Sequence, residues 1–247
     1  MPRPSPDNRL RRGSLSEQAY QAVRRMILRG ELPPGAAISR RPLAKQLGVS
    51  FLPISEALQR LEHEGLVESW PRVGTRVKLF TLLDVRGNYV LREALESQSA
   101  RLFAEKASSA ERQELRSMAR QVDETHAAPK VDSFDFFSLH ERFHRRIAEC
   151  TGCAALCEAI EKTHTLIRTW QCACISDYRE MPAHYHSDLV EALCGGDPER
   201  ADGVMRQHVR HGMEEVLRRL EPYLRGEQSF APPPRLKPLV RKRAGAT

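Results

Sequence analysis

Two groups of side chains in this chain have the type and spacing to do chemistry. The first is a set of histidines. His140 and His144 stand four residues apart, so on a helix their imidazoles lie side by side on one face. His186 and His208 fall on two later segments of helical period. Four imidazoles converging from three helices would suit zinc, nickel or a related divalent ion. A satisfied cluster of polar core histidines is the competing reading, and the spacing does not choose between them. His184 and His211 are near neighbours read as surface residues. The second group is the run 41–77, RPLAKQLGVSFLPISEALQRLEHEGLVESWPRVGTRV, whose local signals are those of a duplex-reading element.

Within that run Leu43, Ala44 and Leu47 recur at helical spacing before Gly48, a residue tolerant of left-handed backbone. Ser50 is placed to cap a second helix, and Pro53 falls in its first turn, where a missing N–H costs least. Ile54, Ala57, Leu58 and Leu61 then share one face until Gly65. Leu66, Val67, Val73 and Val77 flank Trp70–Arg76, which carries Pro71 and Gly74; with Lys78, Arg72 and Arg76 make three basic side chains. That is the pattern of a two-stranded wing. Two short helices joined by a glycine turn place the second helix in the DNA major groove, so the run predicts a winged helix-turn-helix bound to double-stranded DNA. A hairpin used only for packing would need neither the capped helix nor the basic hairpin.

The elements that must position these groups follow from periodicity. Residues 1–13 read as a disordered basic arm. A first helix starts at Ser14, with Glu17 completing a capping box, carries Ala19, Val23, Ile27 and Leu28 inward, and stops at Gly30. Residues 31–39 (ELPPGAAIS) are a turn and a short extended piece, and the DNA-binding domain spans 14–80. A long helix through about Lys106 bears Leu83, Val90, Leu91, Leu95, Leu102 and Phe103. Helical periods return at 108–126, 132–151, 154–176, 182–194 and 197–221, broken by AAPK, TGC, REMP and GGDPE. The fold class is therefore mainly α: a winged helix-turn-helix followed, over 81–224, by an all-α antiparallel bundle of roughly six helices. Residues 225–247 read as a disordered Pro-rich basic tail.

Charge follows the same division. Residues 1–80 hold 14 Lys/Arg against seven Asp/Glu, residues 226–247 hold five against one, and the middle is mildly acidic. A basic DNA-binding end releases counterions from phosphate. No apolar run approaches the roughly 18 residues that cross a bilayer, and the polar start is no signal peptide, so no membrane partner and a cytoplasmic location are expected. The six cysteines are then reduced thiols. Cys150, Cys153 and Cys157 share a helix face and read as small core residues rather than as a redox pair.

Residues 14–80 resemble the GntR family of bacterial transcription regulators, in RGELPPGAAIS, RPLAKQLGVS, PISEALQRLEHEGLVES and RVGTRV. The helical remainder resembles the FadR-like branch with an FCD ligand-binding domain, in LREALESQSARLFAEKA, FHRRIAECTG and HSDLVEALCGGDPERADGVMRQHV. The resemblance implies a homodimer on a near-palindromic operator, and a small effector, usually a carboxylic acid, bound in the helical domain. It places Arg41, Arg72, Gly74 and Thr75 among DNA contacts, beside Ser50, Phe51, Leu52, Pro53 and Ser55 at the front of the recognition helix. It also places His144, His186 and His208 at a divalent metal, zinc or nickel foremost. His140 stands there in place of the family's acidic residue or Asn, and Arg92 falls where an arginine often faces the pocket. For Arg92 the alternative is a surface pair with Glu96.

One departure bears on recognition. Many relatives carry arginine where this chain has Phe51 and Ser55. Arginine pairs bidentately with guanine; Phe51 and Leu52 can instead pack on thymine methyls, while Ser50 and Ser55 offer short hydrogen bonds. Phe51 tucked into the protein is the alternative. Together the residues predict a metabolite-responsive DNA-binding regulator, a repressor in the commoner case, and no enzyme. The rivals are a constitutive DNA-binding protein whose bundle only dimerises, and a helical metallohydrolase with Glu141 or Asp188 as base.

Overall fold

A computed structural model describes residues 14–128, 132–174 and 181–226. The arm 1–13 and the tail from 227 onward lie outside the described residues, as do the side chains of Cys172 and Cys174. The chain forms two compact units that divide between Leu79 and Phe80.

The first unit holds α1 (Leu15–Leu28), β1 (Ala37–Ile38), α2 (Arg40–Leu47), α3 (Phe51–His63), β2 (Val67–Trp70) and β3 (Gly74–Val77). At its start the Ser14 hydroxyl accepts the Glu17 N–H at 3.1 Å. The other half of the expected capping box is not made, because the Glu17 carboxylate is held by Arg60 at 2.6 Å and Gln21 at 2.8 Å. Gly48 closes α2 in the left-handed region, at φ 67°. Ser50 is the N-cap of α3, yet its hydroxyl makes no capping bond. The residue three positions on is Pro53, which has no N–H to donate. Pro53, Ile54, Ala57, Leu58 and Leu61 form the buried face of α3, which packs on α1. Leu58 and Leu61 each contribute about 1.5–3 kcal/mol by that burial.

The expected two-stranded wing, β2 and β3, is present, and β1 joins its edge as a third strand. Ala37 and Ile38 pair with Arg76 and Thr75, giving the antiparallel order β1-β3-β2. Burial of Ile38 draws the extended piece before α2 onto the hairpin. At the tip Arg72 has φ 65° and Gly74 φ 118°, a backbone that favours glycine at position 74.

The second unit contains, among the described residues, six helices: α4 (Leu82–Lys106), α5 (Ser109–Ala127), α6 (Ser133–Glu149), α7 (Ala154–Cys174), α8 (Tyr185–Cys194) and α9 (Pro198–Leu224). Capping boxes Thr81–Asp84 and Ser108–Glu111 start α4 and α5. Helix α4 packs most extensively along α9; α5 pairs with α8, and α6 with α7. Phe103, Leu115, Phe143, Ile147, Leu189 and Met205 fill the core. Phe80, grouped with the wing by the sequence, packs on Trp170 at 5.2 Å between ring centroids. The apolar residues of α4 fall on two faces. Phe103 joins Val85 and Tyr89 in the core, whereas Leu83, Val90 and Leu91 are exposed. No described helix is long and apolar enough to cross a membrane. Cys150 and Cys157 are only half-buried and Cys153 is exposed, so the three are not core residues as expected, because their stretch lies at the surface end of the bundle helices. Burial still pushes the Cys150 thiol up to about 12.

Candidate functional site

Three helices bring the four histidines together. His140 and His144 project from one face of α6, His186 comes from the first turn of α8, and His208 from α9. One ring nitrogen from each lies within 4.8 Å of the others. His144 Nε2 is 3.2 Å from His140 Nε2 and 3.4 Å from His208 Nε2. His186 Nε2 is buried without a hydrogen-bond partner. That orphan is compatible with an ion at the cluster and is the feature a satisfied core cluster would lack. A satisfied core cluster would pair it, whereas a cation would use its lone pair. The residues fit a divalent ion of the zinc or nickel type, held by neutral imidazole nitrogen.

Carboxylates orient two of the rings. Asp123 of α5 lies 3.0 Å from His186 Nδ1 and accepts the backbone N–H groups of His186 and Ser187, both at 3.0 Å. It does the capping that His184 does not, and so fixes where α8 begins. Burial alone would raise the Asp123 carboxyl, but the bonds from His186 and Ser187 outweigh it and bring it to about 2. Glu96 of α4 lies 2.6 Å from His144 Nδ1 and 2.7 Å from His164 Nε2. A proton on Nδ1 of each oriented ring leaves Nε2 as the lone-pair atom. Neither Asp123 nor His164 was singled out in the sequence, and no local pattern marks them. Glu96 was visible only as a helical neighbour of Arg92.

Arg92 is not the surface partner of Glu96 that the sequence offered as an alternative. The two form a buried ion pair, and Arg92 Nη2 stands 3.4 Å from His144 Nε2. Glu96, His144 and His164 make a second candidate donor group, but the Arg92 charge on Glu96 sets it up as a hydrogen-bonded network rather than a cation site. His184 is exposed, and His211 stays outside the four-histidine group.

Burial keeps these imidazoles neutral. It holds His140 and His208 well below the usual histidine range, lowers His186, and takes His144 to about 3 despite the opposing pull of Glu96. Below about pH 6.5 an unfolded chain protonates these rings while the folded one resists, so stability is full above that pH and lost as pH falls. Each ring withholding a proton costs up to about 1.4 kcal/mol per pH unit. Metal-free protein should therefore lose urea stability between pH 7 and 5 with a slope above that of a single proton. A flat profile would contradict the buried neutral cluster.

In the first unit, α3 turns Phe51, Leu52 and Ser55 outward, so Phe51 is not tucked into the protein. The Ser55 hydroxyl bonds back to the Phe51 carbonyl at 3.2 Å. Arg41, Ser50, Arg72 and Gly74 are exposed. Of the expected contacts, Pro53 and Thr75 have buried side chains. The Thr75 hydroxyl accepts from Arg40 at 3.1 Å and lies 2.9 Å from that of Ser69, so it braces the wing against α2.

Residues 15–77 match the bacterial regulatory proteins of the gntR family, and residues 88–211 match the FCD domain. A "Probable D-xylose utilization operon transcriptional repressor" of Paenarthrobacter nicotinovorans is 31% identical, over 81% of this chain and 88% of its own. The chain belongs to the GntR family. A second GntR relative, "HTH-type transcriptional repressor RspR" of Escherichia coli (strain K12), is 25% identical over 82% of this chain and 89% of its own. Among solved structures, E. coli McbR/YncC shares the fold with a TM-score of 0.68 at 20% identity, covering 83% of this chain and 98% of that one. The GntR relatives are transcriptional regulators, not enzymes, and this chain is a regulator of that kind. The hydrolase alternative falls away with that finding; of its two suggested bases, Glu141 is held by Arg168 at 2.8 Å and Asp188 is exposed.

Proposed function

We propose that this GntR regulator is a metal-dependent, metabolite-responsive repressor that binds its operator as a homodimer. The observation that carries the ligand-responsive half is the convergence of four imidazole nitrogens, three on buried histidines and one on the half-buried His140, beside a buried guanidinium. His140, His144, His186 and His208 would hold the ion, which when bound supplies Lewis acidity toward an anionic ligand. Glu96 and Asp123 keep His144 and His186 in the orientation and tautomer that ligation needs. Arg92 offers a second charge for an effector carboxylate, and such an acid must compete with Glu96 for it. The exposed Leu83, Val90 and Leu91 on α4 form an apolar strip that a second subunit would cover. An effector changes operator affinity only through different affinities for DNA-competent and DNA-incompetent dimers.

On the DNA side, exposed Arg41 on α2 and Arg72 at the wing tip would join the outward front of α3 and neutralise phosphates. The full chain should bind a duplex from its own upstream region in preference to random fragments, with strong salt dependence. Arg41→Ala and Arg72→Ala should each weaken binding on every sequence and reduce the salt slope by about one. A protein indifferent to its own upstream region at near-physiological salt would refute the regulator's proposed mode of action. A metabolite screen by thermal shift, run with zinc or nickel present, tests the effector half separately.

A further inference from the structure

Phe51 and Leu52 are 54% and 64% exposed, in the first turn of the helix whose opposite face is locked into the core. They are large, adjacent and apolar on the element that a helix-turn-helix places against base edges. The rest of that outward face offers Ser55, Glu56 and Gln59. Reading guanine in the major groove calls for a side chain with two N–H donors aimed at O6 and N7. None is available at the front of α3. Arg60, farther along, is drawn back over the Tyr20 ring at 3.6 Å and onto Glu17 at 2.6 Å. The Ser55 hydroxyl is occupied by its own helix. Other exposed cations lie off this helix, as Arg41 and Lys45 on α2 and Arg72 and Lys78 at the wing.

Of the base edges in the major groove, only thymine presents a methyl group. A guanine in the same place would lose water from two acceptors against Phe51 and gain no donor. Resting on the DNA-binding reading, we propose that Phe51 and Leu52 read thymine through its C5-methyl, so that the half-site is anchored on A·T pairs. Gln59, with donor and acceptor on one amide, suits the adenine edge of such a pair.

The test replaces thymine by uracil, which removes the methyl and leaves base pairing intact. Wild-type full-length protein first selects duplexes from a random pool. The selected half-site should centre on A·T pairs. Uracil at the anchoring positions should then weaken binding about fourfold per methyl, the effect of one buried carbon group. Phe51→Ala and Leu52→Ala should bind less tightly and no longer distinguish uracil from thymine, with unchanged melting temperatures because both side chains are exposed. Equal affinity of wild type for thymine and uracil duplexes, or a guanine-anchored half-site, overturns the proposal while leaving DNA binding intact. Failure to select any duplex overturns the operator-binding reading itself, and this inference with it.

Discussion

His144→Ala is expected to leave the purified protein without bound divalent metal and without any response of its unfolding temperature to chelator. Wild type should carry about one zinc or nickel per chain and melt lower once the ion is removed. The central place of His144 explains the choice. Its Nε2 faces both His140 and His208, and its Nδ1 faces Glu96. An ion present at a hundred times its dissociation constant stabilises the folded state by about 2.7 kcal/mol, and at a thousand times by about 4.1 kcal/mol. Losing that linkage is the expected signature of the alanine variant, with His208→Ala behaving alike. The decisive opposite result is a wild type that stays metal-free after incubation with zinc or nickel and melts identically with and without chelator.

Glu96→Ala should be the most destabilising single change in the helical unit. It strips the counter-charge from a buried guanidinium and leaves His144 and His164 without their shared acceptor. Breaking one side of a buried pair costs about 3–5 kcal/mol, because the surviving charge stays out of water. Replacing both partners by apolar residues of similar size, Arg92→Met with Glu96→Leu, should cost far less and can approach neutrality. Urea unfolding in chelator measures both. Glu96→Gln separates packing from electrostatics: it keeps the shape, and as a change to a group orienting a ligand it should weaken metal binding about 10–100-fold. A loss below about 1 kcal/mol for Glu96→Ala would mean that the charge network is not closed off from solvent.

The helix pattern was legible because it is local. Ser14, Ser50, Pro53 and Gly48 announced the starts and stops of α1 to α3, and the breakers TGC and GGDPE marked the ends of α6 and α8 to within a few residues. What depended on distant partners was not. The stretch 31–39 was legible as a short extended piece, but not that Ala37 and Ile38 would pair with residues almost forty positions later, because two residues do not specify a strand partner. Thr75 falls among the wing-tip contacts that the family resemblance implies, yet the sheet turns its side chain inward. The apolar residues of α4 could not be assigned to faces, since helix and neighbours together decide which side is covered. His140 and His144 were readable as a pair, but Asp123 pairs with His186 across 63 positions, and nothing near either residue foretells it.

That long reach has a kinetic consequence. Helix α6 can form by itself and present two imidazoles early, which is a poor trap for an ion. The start of α8 is fixed only when α5 docks and lends its carboxylate across a wide loop, whose closure entropy delays the event. If the four rings hold an ion as proposed, its tight capture would therefore be reserved for chains that have finished assembling, and a nascent or damaged chain would not compete for scarce metal with its completed siblings.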